Sequence, residues 1–169
     1  CSALTSVTIG NSVTSIGWAA FYGCSSLTSI TIGNSVTSIG DGAFYNTGYY
    51  NNASNWEDDV LYIGEYLIEA KDTLSGSYEI KDGTKAIADF AFYDSYELVS
   101  ITIPDSVVNI GIGAFYNCGS LTSAIIGDGV TSIGNSAFSN CYELTSITIP
   151  DGVTSIEYEA FYWCESLES

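Results

Sequence analysis

The strongest constraint on this chain is one phrase of 23 residues, repeated in register. From Leu4 it reads LTSVTIGNSVTSIGWAAFYGCSS, and from Leu27 LTSITIGNSVTSIGDGAFYNTGY. The pattern restarts at Ser75, Leu98, Leu121 and Leu144, and those four starts lie 23 residues apart. A fixed period in this range marks a solenoid, in which each repeat is one coil stacked on its neighbours. A residue recurring at one phase is therefore read first as packing or turn. Departures from the repeat are where function can show.

One coil illustrates the expected geometry. In LVSITIPDSVVNIGIGAFYNCGS, Leu98 to Ser120, the apolar Leu98, Ile101 and Ile103 alternate with polar residues, as in a short strand with one buried side. Pro104-Asp105 turns the chain, and Gly10-Asn11, Gly33-Asn34, Lys81-Asp82, Gly127-Asp128 and Pro150-Asp151 hold the same place. A second extended piece turns Val107 and Ile110 inward, and the spacing of Ala114, Phe115 and Cys118 suits one tight helical or 3₁₀ turn. The expectation is a single parallel sheet with one short strand per coil and sparse helix, each coil advancing ~4.8 Å. Equal phases make ladders, among them Ile9, Ile32, Ile80, Ile103, Ile126 and Ile149, and Phe21, Phe44, Phe92, Phe115, Phe138 and Phe161. Burying each Phe contributes about 2 kcal/mol, which no single repeat can realise alone.

The repeat breaks between Tyr50 and Leu74. Leu27 to Ser75 spans 48 residues, two periods plus two, so a variant unit over 50–74 replaces a regular one. Its head, YNNASNWEDD, is polar and aromatic; its body, VLYIGEYLIEA, reads as a hairpin about Gly64-Glu65. One reading is an insertion that completes the stack through Leu61, Ile63, Leu67 and Ile68. The other makes it a binding face, with Tyr49, Tyr50, Trp56, Tyr62 and Tyr66 as stacking aromatics beside Glu57, Asp58 and Asp59.

Composition limits the chemistry. Twenty carboxylates against three lysines, with no Arg and no His, give a net charge of −17. Such a surface repels phosphate backbones and argues against nucleic acid. Without His or Arg there is no ordinary Ser-His relay and no guanidinium clamp, so no catalytic residues are assigned; a carboxylate-pair enzyme is the remote alternative. Cys1, Cys24, Cys118, Cys141 and Cys164 share one phase with Thr47 and Ser95. A slot that accepts Cys, Thr and Ser wants a small buried side chain, which favours free thiols over bridges or zinc. Asp82, Asp105, Asp128 and Asp151 stack in the turn row and raise the question of Ca²⁺, but Asn11 and Asn34 fill the same slot as ordinary turn residues. No cofactor or metal is expected.

The LTSITIP-type strand (Leu144 to Pro150) and the SVTSIG…AF..C run (Ser35 to Phe44, or Val130 to Cys141) resemble the leucine-rich-repeat superfamily, within it the group typified by the BspA surface antigen and treponemal leucine-rich-repeat proteins. The resemblance covers residues 4–49 and 75–169. It implies one leucine-rich-repeat domain over 1–169, a right-handed arc with parallel strands on its concave side. It further implies a cell-surface or secreted protein that adheres to host or neighbouring-cell proteins or glycans. The alternative is a structural spacer presenting other modules. Both ends fall inside a repeat, so the chain reads as an excerpt of a longer array. The sequence contains no apolar stretch of membrane-spanning length.

Overall fold

Two strands per coil, rather than one, build this solenoid. The computed structural model describes residues 1–168; Ser169, the last residue of the expected domain, lies outside it. The first strand of each regular coil is β1 (Ser6–Ile9), β3 (Ser29–Ile32), β8 (Gly76–Glu79), β10 (Leu98–Ile103), β12 (Ser123–Ile126) and β14 (Ser146–Thr148). These pair in parallel at the repeat period, Ser100 opposite Ser123 and Ile103 opposite Ile126. The second extended piece also pairs, as β2 (Ser15–Ile16), β4 (Ser38–Ile39), β9 (Ala86–Ile87), β11 (Asn109–Ile110), β13 (Ser132–Ile133) and β15 (Ser155–Ile156). The expected single sheet is thereby corrected to two rows, each cut in two by the variant unit: β1-β3 and β14-β12-β10-β8 in one, β2-β4 and a sheet running from β15 to β9 and on into the variant unit in the other. A buried Ile on the second piece of every regular coil but the last, Ile16, Ile39, Ile87, Ile110 and Ile133, supplies the reason.

The third side of the coil is not helical. It is a run of hydrogen-bonded turns, and the one 3₁₀ helix among the described residues, Ala53–Asn55, belongs to the variant unit. Each turn edge carries two left-handed residues four positions apart. They are Ala19 and Gly23, Gly42 and Asn46, Phe90 and Asp94, Gly113 and Asn117, Ser136 and Asn140, Glu159 and Trp163. Left-handed backbone costs an ordinary L-residue roughly 1–2 kcal/mol and interrupts any helix. Gly, Asn and Asp fill seven of these twelve places. Ala19, Phe90 and Ser136, which are none of these, are held by bonds to the next coil, as Phe90 N to Ile112 O at 2.8 Å. Every second residue of the edge donates across in this way: Gly113 N to Asn135 O at 2.8 Å, Phe115 N to Ala137 O at 2.7 Å, Asn117 N to Ser139 O at 2.9 Å.

Inside, Phe92, Phe115 and Phe138 are fully buried. Their rings stack 4.9 Å apart and nearly parallel, and Phe161 continues the file at 5.5 Å. Phe21 and Phe44 form a separate stack at 5.5 Å, with the variant unit between the two files. The cysteines are free thiols, Cys24, Cys118 and Cys141 buried, Cys164 half-buried and Cys1 exposed. Cys118 and Cys141 donate to carbonyls of the preceding coil, Phe92 O at 3.1 Å and Phe115 O at 3.2 Å. Burial pushes the Cys118 thiol up to about 12. In the turn row, Asp105 Oδ1 accepts Asp128 N at 2.9 Å and Asn11 Oδ1 accepts Asn34 N at 3.0 Å. Carboxylate and amide thus do the same backbone-capping job. Among the described residues no three Asp, Glu, Cys or His side chains gather to hold a metal.

Candidate functional site

The variant unit folds as a three-stranded antiparallel meander, one strand more than the hairpin read from the sequence. β5 (Trp56–Glu57) pairs with β6 (Val60–Ile63), which pairs with β7 (Tyr66–Ala70). The added turn is Asp58-Asp59, left-handed at both residues (φ 48° and 63°). Such a two-residue turn matches the twist of a hairpin, and Asp tolerates the conformation. β7 then runs parallel to β9, Leu67 opposite Ile87, which joins the meander to the second strand row. Leu61, Ile63, Leu67 and Ile68 are buried, completing the core.

This folding redistributes the eight candidate residues. Tyr62 and Tyr66 are core, not exposed stacking surface, because each hydroxyl finds a partner inside. Tyr66 donates to Gly33 O at 2.7 Å, and the Tyr62 and Tyr78 hydroxyls lie 3.1 Å apart. Burial is the main cause holding the Tyr62 and Tyr66 phenols above their ordinary pKa. Tyr49, Tyr50 and Trp56 are half-buried wedges: Tyr49 donates to Tyr62 O at 3.0 Å, and Trp56 Nε1 to Tyr50 O at 2.8 Å. Glu57 pairs with Lys81 and Asp59 with Lys71, both on the surface, where ion pairs contribute little. Asp58 is exposed in the turn.

The meander consumes the residues that would form a turn edge, so the third coil has none. Its neighbours, the second coil and the coil from Ser75, face each other across the gap. They touch at Asp89 N to Ile39 O, 2.9 Å, and Ala70 N reaches Ala91 O at 2.6 Å. The gap is a groove of about 590 Å³ floored by Ile68, Glu69 and Ala70. Trp18, Tyr22, Tyr45, Phe90 and Tyr93 line it together with Asp41 and Asp89. Glu69 accepts the Tyr50 hydroxyl at 2.7 Å, and Asp89 Oδ1 accepts Ile112 N at 2.8 Å. Burial raises both carboxyls above their ordinary pKa, and the Asp41 charge adds to it. On the near wall, Gly42, Phe44 and Asn46 stand where Gly113, Phe115 and Asn117 do, but their N–H groups find no backbone acceptor among the described residues.

The groove interrupts an exposed aromatic edge. The residue after each ladder Phe is Tyr22, Tyr45, Tyr93, Tyr116, Ser139 or Tyr162. Tyr22 stacks on Tyr45 at 5.5 Å and Tyr93 on Tyr116 at 5.8 Å, while Trp18 at the groove rim is 77% exposed.

The BspA-type leucine-rich-repeat model matches residues 1–76 and 62–169, in six copies. The chain belongs to this family. Solved structures of bacterial leucine-rich-repeat proteins agree. A leucine-rich cell surface protein from Faecalibacterium prausnitzii is 31% identical with a TM-score of 0.65, covering 99% of this chain and 53% of that one. The leucine-rich-repeat protein of T. pallidum is 26% identical with a TM-score of 0.54, covering 98% and 66%. The pneumococcal vaccine antigen PcpA, 19% identical with a TM-score of 0.56 and covering 90% and 46%, shares the fold. The chain therefore spans about half to two thirds of the length of these relatives. Among curated proteins, none matches it.

Within this family member, sequence reasoning missed Trp18, Asp41, Asp89, Phe90 and Tyr93 as neighbours of one groove. A signal was present: the variant unit has no AF..C run, so one turn edge had to be missing. Of the eight candidates, Tyr50 alone connects to the groove, through Glu69 and through its ring 4.9 Å from Tyr45.

Proposed function

We propose that this chain is a binding module of a cell-surface or secreted bacterial protein, engaging protein or glycan ligands through the aromatic edge around the groove. The carrying observation is the row of exposed rings, Trp18, Tyr22, Tyr45 and Tyr93, flanking a concavity in an otherwise tiled solenoid. Aromatic side chains give large contact area with few rotatable bonds, and they dominate binding hot spots. Kinship with a leucine-rich cell surface protein supports the location, and no helix of the described residues is long and apolar enough to cross a membrane. No reaction is assigned to the chain.

The test is a binding screen of the whole chain against matrix proteins, glycans and bacterial and host cells. Trp18→Ala with Tyr93→Ala should abolish binding at an unchanged melting temperature. Trp56→Ala with Glu57, Asp58 and Asp59 neutralised should leave it intact, since Trp56 is wedged and two of the acids are paired. The reverse result would return the interface to the meander. A parent chain that binds nothing would make it a spacer.

A further inference from the structure

Resting on the binding-module reading, we propose that the groove receives an arginine side chain carried on an extended segment of a protein partner. Three independent features converge on that ligand. The first is charge. Asp41, Glu69 and Asp89 come from three different coils to one groove, in a chain with no arginine of its own. Its three lysines are engaged elsewhere, Lys71 with Asp59, Lys81 with Glu57 and Lys85 with Glu65. The carboxylates do not gather closely enough to hold a metal ion. A planar guanidinium, with five donors spread over its fork, can reach separated acceptors that a point cation cannot.

The second feature is the aromatic lining. Trp18, Tyr22, Tyr45 and Tyr93 present rings to the same space, and a guanidinium is attracted to such faces. Glu69 and Asp89 are also half-buried, so an entering cation meets acceptors partly shielded from water.

The third is backbone. The N–H groups of Gly42, Phe44 and Asn46 repeat the spacing by which other coils bond their neighbours. Opposite them, the carbonyls of Asp89 and Tyr93 lack the donors that their counterparts in the other coils accept, among the described residues. An extended segment lying along the gap would supply carbonyls to the first wall and N–H groups to the second, as in strand addition to a sheet edge. At about 590 Å³ the groove is in the ordinary range for ligand sites. That is room for a side chain with part of its flanking backbone.

The test is an NMR titration of the intact chain at low salt with acetyl-Gly-Ser-Arg-Ser-Gly amide. The same peptide with citrulline, which keeps the shape and loses the charge, is the control. Saturable shifts are expected at the Trp18 indole and at the Gly42, Phe44 and Asn46 amides. Affinity should fall at least about tenfold with citrulline, and by a similar factor in the double variant Asp41→Asn/Asp89→Asn. That variant keeps a side-chain oxygen at position 89 to accept from Ile112 N, so the wall itself is preserved. Equal affinity for the citrulline peptide, undiminished binding by the double variant, or no saturable shift would overturn the proposal. So would calcium alone producing the same shifts and displacing the peptide. The wider reading fails separately. A screened partner that still binds the double variant leaves the module standing without the arginine groove. If the screen returns no partner, the module reading falls and the titration decides the groove by itself.

Discussion

Replacing Phe115 by alanine should cost more than the same change at Phe44 or Phe21, the two rungs ahead of the variant unit. Phe115 is fully buried and stacks on two neighbours, Phe92 and Phe138, each at 4.9 Å. Phe→Ala in a close-packed core costs about 3–5 kcal/mol from lost transfer and residual cavity together. An aromatic pair adds about 0.5–1.5 kcal/mol beyond area, and Phe115 loses two such pairs. The expected loss is therefore about 4–5 kcal/mol, at the upper end of that range. Phe44 is just as buried but stacks only on Phe21, at 5.5 Å, because the meander separates it from Phe92. Phe44→Ala should cost about 1 kcal/mol less, the worth of one pair. Phe21, half-buried with one partner, should cost least. Urea unfolding followed by far-UV circular dichroism and tryptophan fluorescence measures all three, and the milder Phe115→Leu, which keeps most of the apolar volume, guards against outright unfolding. A Phe44→Ala loss equal to or above that of Phe115→Ala would refute the reasoning, since the meander would then be transmitting the stack rather than interrupting it.

Ser95 occupies the cysteine phase with its hydroxyl buried and unpartnered, so Ser95→Ala should raise stability by about 1 kcal/mol in the same assay; a loss would show that the hydroxyl is bonded. Glu69 and Asp89 have native pKa values raised above the ordinary 4.5 and 3.8, so the folded chain keeps protons that the unfolded chain has released. Their contribution is full below those ordinary values and is lost as pH rises through the native ones; Glu69→Gln, which still accepts from Tyr50, should flatten the fall of stability above pH 4.5. A thiol reagent should label Cys1 at once, Cys164 slowly, and Cys24, Cys118 and Cys141 only on unfolding, when all five react without reductant; fewer than five would reveal a bridge.

The parallel coil and its register were legible because periodicity reports what stacks: Ile103 lies opposite Ile126, one period on. The thiol slot was legible for the same reason, since Thr47 and Ser95 at that phase restrict it to small side chains. Backbone conformation at the turn edge was not. A spacing of Ala114, Phe115 and Cys118 suits a helical turn equally well, and only the left-handed Gly113 and Asn117, fixed by bonds to the next coil, exclude it. The meander was half legible. Gly64 announced one turn, whereas Asp58-Asp59 looked like a charge cluster because Asp serves surfaces and turns alike. The aromatic candidates were misplaced in part because Tyr62 and Tyr66 hydroxyls are answered by Tyr78 and Gly33, contacts between distant positions that no local pattern shows. The groove arises from what the third coil leaves out.

The repeat-spaced hydrogen bonds carry one more consequence, for the gene rather than the molecule. A donor at Gly113 and its acceptor at Asn135 keep the same offset as Phe90 and Ile112. Unequal crossing-over among the coils from Ser75 onward thus deletes or adds whole coils while each new junction inherits a working ladder. A crossover between the coil from Leu27 and the coil from Ser75, 48 residues on, would instead delete the variant unit and the groove with it. Regular coils on either side can therefore be added or lost without breaking the ladder, lengthening or shortening the rod, whereas the groove exists only where the variant unit is kept.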